Sequence, residues 1–224
     1  MTQPATRDNP HPTALTAHDA PTPHDAPADG PRVPFQRLDL TRYMPYTRAE
    51  YARRFAWALV RALLFRPTPK HLFRFRNRLL RWFGAKIGPN AVIAPTARVF
   101  HPWLLEVGDW SHVAAGVNVY NLGPVSIGAH TVVSQGVFLC AGTHDYTRPD
   151  LPLVRPPIKI GSGVWIAAEA FVGPNVTIGH NAVVGARAVV SKDVPPGMVV
   201  AGNPARVVKA RQMQSNPETD PRPD

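Results

Sequence analysis

Cysteine is almost missing from this chain of 224 residues, which holds a single one, Cys140. One thiol cannot close an intramolecular disulfide, so no disulfide framework supports the fold. Cys140 reads as a small core residue rather than a nucleophile. Long apolar runs are missing too. The most apolar stretch, residues 55–65, is short and carries Arg61, whereas a bilayer span takes roughly 20 apolar residues. No transmembrane helix is expected. The chain does not open with a basic segment followed by an apolar one, so no secretory signal is read there, and a cytoplasmic protein is expected. Acids are scarce as well: 15 Asp and Glu face 25 Lys and Arg, a formal net charge of +10.

That charge is unevenly placed. Between Arg48 and Lys86 stand eleven Lys or Arg and one acid, Glu50. Such a block suggests an anionic partner for this part of the chain: phospholipid head groups, a phosphorylated glycan carrier or nucleic acid. Proline is in excess, 26 residues in all, and eight of them fall in residues 1–34 beside only three large aliphatics. This leader is too poor in apolar surface to offset its ordering entropy and is expected to be disordered. The tail over residues 212–224 reads the same way.

The pair Ile/Val-Gly recurs at Ile87, Val107, Ile127, Ile160 and Ile178, with starts 20, 20, 33 and 18 residues apart. Inside these intervals an aliphatic returns every sixth position, without a break through Ile160, Ile166, Val172, Ile178, Val184 and Val190. A helix repeats at 3.6 residues and a strand at 2, so a period of six fits neither alone. It fits a chain that turns a corner every six residues and closes a triangular coil every eighteen, an all-β solenoid. About five coils over residues 87–211 are expected, in a prism roughly 24 Å tall at the inter-strand spacing. Two coils carry two extra residues at a corner, and the third carries a proline-rich loop over residues 145–157. Ala91, Ala97, Ala170, Ala182 and Ala188 are expected at tight corners.

Residues 35–86 read as a basic helical hairpin. Thr47 and Glu50 have the spacing of a capping box, and the helix they start runs to about Arg66, where Pro67 stops it. Thr68-Pro69 supplies an N-cap for a second helix that ends at Gly84. Leu72, Phe75, Leu79 and Phe83 share one side of it, and Arg74, Arg78 and Arg81 another. Two readings stay open: the hairpin rests on a membrane surface, or it caps the open end of the solenoid with its arginines in solvent.

Gly142-Thr-His144-Asp before the loop, Gly163-Val-Trp165-Ile-Ala after it, and Val190-Ser-Lys-Asp-Val-Pro-Pro-Gly with Ala201-Gly-Asn-Pro-Ala-Arg206 at the end resemble the hexapeptide-repeat acyltransferases. The likeness is to the maltose, galactoside and nodulation acetyltransferase group. The segments starting at Leu64 and Leu79 resemble the colanic acid biosynthesis acetyltransferases. The resemblance implies a left-handed parallel β-helix, a homotrimer, and transfer of acetyl from acetyl-CoA to a hydroxyl of a saccharide or lipid-linked saccharide in exopolysaccharide or surface-glycan biosynthesis. It implies no metal and no nucleic acid. With the basic hairpin it suggests a cytoplasmic protein working at the inner face of the membrane.

Acetyl transfer to a hydroxyl needs a base near neutral pKa, and histidine is the natural one. His11, His18 and His24 lie in the leader and His71 on the hairpin. His101, His112, His130 and His180 sit on coils or corners with no neighbouring insert. His144 ends the last hexapeptide before the long loop, and the resemblance matches it to the family's catalytic histidine. It also matches Trp165, Ala168 and Ala186 to positions along the pantetheine arm of coenzyme A, with Ala167 where glycine is common. Ser191, Lys192, Arg206 and Lys209 match or neighbour positions near its nucleotide end, where cations suit phosphate. Asn118, Asn121 and Asp145 are candidates for acceptor binding. Asn at a solenoid corner also has a structural use, since it tolerates left-handed backbone, and Asp145 also reads as a solvated loop acid. The acid that galactoside-type relatives place near Asn121 is absent.

Other readings are an acetyltransferase for an antibiotic or another small hydroxylated acceptor, and a non-catalytic scaffold. A zinc-holding prism needs three histidines around an open position, and no second histidine stands at short spacing from His130 or His144. That reading is rejected.

Overall fold

The computed structural model describes residues 36–41 and 46–214. The leader and the tail beyond residue 214, expected to be disordered, lie outside the described residues.

Three parallel sheets wrap one aliphatic core. The first stacks Lys86–Ile87, Leu105–Val107, Val125–Ile127, Ile158–Ile160 and Thr177–Ile178. Ile87, Val107, Ile127, Ile160 and Ile178 pair in register, and a bridge from Ile178 to Val194 extends the column. The repeated Ile/Val-Gly pairs of the sequence are therefore one ladder. The glycines stand where coils approach most closely: a Cβ on Gly161 would lie 2.7 Å from the His180 nitrogen in the next coil.

The second sheet stacks Val92–Ile93, His112–Val113, Val132–Val133, Trp165–Ile166, Val183–Val184 and Met198–Ala201, and Arg206–Ala210 closes it antiparallel. The third stacks Arg98–Val99, Asn118–Tyr120, Phe138–Cys140, Phe171–Val172 and Val189–Val190. The solenoid makes about six turns instead of five. Pro195 and Pro196 break the six-residue signal, but Val194 and Met198–Ala201 keep the path of the coil. Sixth-position aliphatics from Ile93 to Val190 are buried, as are the corner alanines 91, 97, 170, 182 and 188. Corners require left-handed residues: His130 (φ 54°), Glu169 (φ 58°) and Asn181 (φ 57°) supply three of them. His130 is thus a corner residue. Cys140 faces outward and is half-buried, not in the core as expected, and burial pushes its thiol pKa up.

All surplus residues fall at one corner, between the third sheet and the first. It holds the short turn Pro102–Leu104 in the first coil, residues 121–124 in the second, and the long loop in the third.

Helix α1, Arg48–Val60, starts with the expected capping box, Thr47 Oγ1 accepting from the Glu50 N–H at 3.2 Å. It continues through a π-helical turn, Arg61–Phe65. A 3-10 turn, Lys70–Leu72, precedes helix α2, Phe73–Trp82, which ends at Gly84 with φ 91°. Thr68 does not cap it; its hydroxyl donates to the Phe65 carbonyl and accepts from Arg76.

Helix α2 lies on the first coil, whose strand edge has no coil below it. The buried face differs from the expected one. Leu72 and Phe75 stay exposed, while Arg76, Asn77, Leu79 and Leu80 are buried. An open parallel edge presents carbonyls that need donors, and the helix brings them. Arg76 Nε donates to the Ile93 carbonyl at 2.8 Å and Asn77 Nδ2 to the Ala91 carbonyl at 2.7 Å. Arg81, expected in solvent, donates to the Ile87 carbonyl at 2.8 Å. Trp57 of α1 donates to the Val99 carbonyl at 2.8 Å.

Candidate active site

His144 leaves the third sheet on a short antiparallel ladder, Thr143–His144 against Leu153–Val154. The loop between them folds back, and the Leu151 carbonyl meets His144 Nδ1 at 2.7 Å. A carbonyl only accepts, so Nδ1 carries the proton and Nε2 of the neutral ring keeps its lone pair. Leu151 is left-handed, φ 42°, an uncommon state for such a side chain. That strain sits at the residue that holds the imidazole.

The exposed imidazole lines a cavity of about 760 Å3. Its other walls are aromatic and basic: Tyr46 just before α1 and Tyr51 within it, Phe100 just past the strand Arg98–Val99 and Tyr120 on the third sheet, and the guanidinium groups of Arg54 and Arg155. Arg54 and Arg155 lie 4.1 and 4.3 Å from the Tyr46 ring centroid, as cation–π partners. Thr41 ties the N-terminal wall to the loop by donating to the Asp150 carbonyl at 2.9 Å. A larger open groove of about 1150 Å3 runs along the first sheet. None of the candidate residues lines it, whereas His144 lines the smaller cavity.

The remaining candidates separate. Ser191, Lys192 and Arg206 surround a cleft of about 270 Å3 at the C-terminal end. Lys209 lies on the exposed strand Arg206–Ala210, opposite Val199. Trp165 is 48% exposed on the second sheet, its Nε1 donating to Ser134 Oγ at 3.1 Å. Ala168 and Ala186 occupy the same corner in successive coils, where the Ala168 carbonyl accepts from the Arg187 N–H. None of these residues lines the His144 cavity.

Asn118 is half-buried on the outer face of the third sheet, its Oδ1 buried without a hydrogen bond among the described residues. Asn121 is closed to any acceptor and its expected binding role does not hold. It is fully buried, Oδ1 accepting from the His101 N–H at 2.9 Å and Nδ2 donating to the His101 carbonyl at 2.6 Å. Asp145 is committed to its loop, accepting from the Thr147 hydroxyl and then from the Thr147 N–H at 3.0 Å, which together lower its pKa.

Residues passed over in the sequence supply most of the cavity wall: Tyr46, Arg54, Phe100 and Arg155 carry no motif. His101 also gains a role. It is 2% exposed, stacks on Trp103 and donates from Nδ1 to the Asn121 carbonyl at 3.0 Å. Its Nε2 is buried without a partner among the described residues, and burial, with Arg54 second, pulls its pKa down to about 4. Among the described residues no three His, Cys, Asp or Glu side chains group closely enough to hold a metal ion.

Stacked six-residue repeats interrupted by one imidazole-bearing loop are the build of a hexapeptide-repeat transferase, and the pattern "Bacterial transferase hexapeptide (six repeats)" matches residues 157–192. The chain belongs to the hexapeptide-repeat acetyltransferase family. The "Putative colanic acid biosynthesis acetyltransferase WcaF" of Escherichia coli (strain K12) is 46% identical over 155 residues, covering 69% of this chain and 85% of that protein. A hexapeptide-repeat acetyltransferase of Vibrio cholerae O1 biovar eltor, complexed with acetyl coenzyme A, is 26% identical with a TM-score of 0.67, over 79% of this chain and 96% of that one. A galactoside acetyltransferase in complex with coenzyme A is 25% identical with a TM-score of 0.68, over 79% and 90%.

Proposed function

We propose that the protein is an acetyl-CoA-dependent O-acetyltransferase that modifies a saccharide hydroxyl in exopolysaccharide or surface-glycan biosynthesis. The observation that carries this reading is the His144 imidazole, pinned through Nδ1 and open at Nε2 to a cavity with aromatic walls. A sugar ring lays its C–H faces on such walls, which brings one hydroxyl to Nε2. Nε2 takes the hydroxyl proton as the oxygen attacks the thioester carbonyl carbon. The tetrahedral intermediate then breaks its carbon–sulfur bond, and the proton passes to the departing thiolate, leaving an acetyl ester and free coenzyme A. Lys192, Arg206 and Lys209 hold the phosphates of the donor.

The donor candidates and the His144 cavity lie apart in one chain, which supports a homotrimer whose neighbouring subunits complete each site. Light scattering should then give about three times the chain mass; a fully active monomer would refute it. The hairpin supports a further placement at the inner face of the membrane. Phe55 (73% exposed), Leu59 and Leu63 form one outer stripe of α1 and its extension, beside exposed Arg48, Arg53 and Arg66. Basic groups near an anionic surface contribute about 1 kcal/mol each. Sedimentation with anionic vesicles at low salt, lost at high salt, tests this.

The decisive experiment incubates candidate glycans and lipid-linked oligosaccharides with protein and acetyl-CoA and follows them by mass spectrometry. A gain of one acetyl group names the acceptor; no acetylated product from any saccharide refutes the reading.

A further inference from the structure

Three arginines converge where no candidate residue stands. Arg61 and Arg66 lie at the two ends of the π-helical turn that extends α1, and Arg98 projects from the first strand of the third sheet. Together they line a cavity of about 370 Å3. Among the described residues none of the three guanidinium groups pairs with a carboxylate or donates a hydrogen bond. Arg76 and Arg81, on the same hairpin, are bonded to backbone carbonyls instead. The crowding is unfavourable: burial first, then Arg98 and Arg66, push the Arg61 pKa below its ordinary value. The Phe100 ring meets Arg98 alone, so among the described residues nothing neutralises the three gathered cations, and an anion would.

Arginine forks match phosphate oxygens bidentately. A carboxylate would leave two of the three charges unanswered, whereas a phosphate or pyrophosphate answers more of them. The location narrows the source. Arg98 and Phe100 are two residues apart in extended chain, so they share a face about 7 Å apart. The Arg98 guanidinium lies 5.7 Å from the Phe100 ring centroid, and Phe100 is a wall of the His144 cavity. A ligand seated beside His144 therefore has the arginine cavity on the far side of one phenyl ring.

We propose that Arg61, Arg66 and Arg98 form a subsite for a phosphate or pyrophosphate group carried by the saccharide acceptor. Its assignment to an acceptor rests on the O-acetyltransferase reading above; the phosphate site itself does not.

The test has a binding arm and a turnover arm. Inorganic pyrophosphate is titrated calorimetrically into the full chain saturated with coenzyme A, so that the donor's phosphate contacts are already filled. Exposed Arg66→Gln and Arg98→Gln should each weaken pyrophosphate roughly 10- to 100-fold, as loss of a charge-assisted contact does. Absence of binding by the unmodified protein would overturn the site. In the turnover arm, acetyl transfer to a sugar 1-phosphate is compared with transfer to the methyl glycoside of the same sugar. The ratio of the two kcat/KM values should favour the phosphate and fall about tenfold or more in Arg98→Gln. An unchanged ratio, with pyrophosphate displaced by phosphatidylglycerol vesicles, would overturn the acceptor assignment in favour of a lipid headgroup. Pyrophosphate binding with no transfer to any saccharide would overturn the O-acetyltransferase reading and the acceptor assignment with it.

Discussion

From Ile160 to Val190, six residues separate each sixth-position aliphatic from the next, and the corners of coils four and five repeat one another until Val194, which stacks on Ile178 after a gap of four. In coils one to three, the corner between the third and first sheets holds two, two and fifteen residues more than that spacing requires. The regular coils provide a flat ladder whose neighbours leave no room for added atoms. The irregular corner provides His101, Asn121, Leu122, His144 and Arg155, and with α1 it encloses a cavity. Regular stacking is where stability resides, and departure from it is where a pocket forms. Separate substitutions should therefore damage activity in one region and folding in the other.

The largest effect is expected at His144. His144→Ala removes the base and should lower turnover by roughly 10²–10⁴-fold, measured by release of free coenzyme A. Because the side chain is exposed and, among the described residues, bonds only to the Leu151 carbonyl, melting temperature and acetyl-CoA affinity should hold. Wild-type turnover in this variant would move the chemistry out of the irregular corner.

Next comes the cap. Arg76 is fully buried and donates to Thr68 and to the carbonyls of Pro69, Lys70 and Ile93. Arg76→Met keeps the bulk but strips these acceptors of their donor, at a cost of about 3 kcal/mol or more. Urea unfolding should show it; a shift within error would mean that the first coil does not depend on α2.

Gly161→Ala tests the regular region. The new Cβ meets backbone, which cannot give way as a flexible side chain does. About 1–3 kcal/mol of stability should be lost, with kcat unchanged in the folded fraction. A loss of kcat with full stability would contradict the division between the two regions.

These contrasts also explain what was readable beforehand. Period six is a one-dimensional signal, so the ladder from Ile87 to Ile178 and the burial of its aliphatics followed directly from spacing. The sequence singles out His144 because it ends a repeat before the long loop and because the resemblance matches it to the family's catalytic histidine. Tyr46, Arg54 and Arg155 were missed because the cavity joins segments about a hundred residues apart, and only three-dimensional packing brings them together. Asn121 misled, since an amide near the expected acceptor looks the same whether it binds a sugar or the backbone at His101. Arg76 misled in turn: a helix face that caps a strand edge needs donors, and amphipathic reasoning counts only apolar residues.

The smallest expected effect lies where the two regions meet. His101 is packed between the first and second coils, its pKa pulled to about 4 by burial and then by Arg54; the Nδ1 bond to the Asn121 carbonyl opposes this, Arg155 adds to it and Glu50 opposes it weakly. Unfolded, the imidazole returns to the ordinary value near 6.5. A lowered folded pKa means that the unfolded chain binds more protons between those two values, so stability rises with pH across that window. The contribution is complete above pH about 6.5 and falls away as pH drops towards about 4. Between pH 7 and pH 5 the loss should be on the order of 2 kcal/mol, at about 1.4 kcal/mol per pH unit. His101→Gln keeps a donor for the Asn121 carbonyl and removes the titration, so its unfolding free energy should change less over the same range. Identical pH profiles for the two proteins would show that the irregular corner tolerates a charged imidazole, and that its packing is looser than that of the coils it joins.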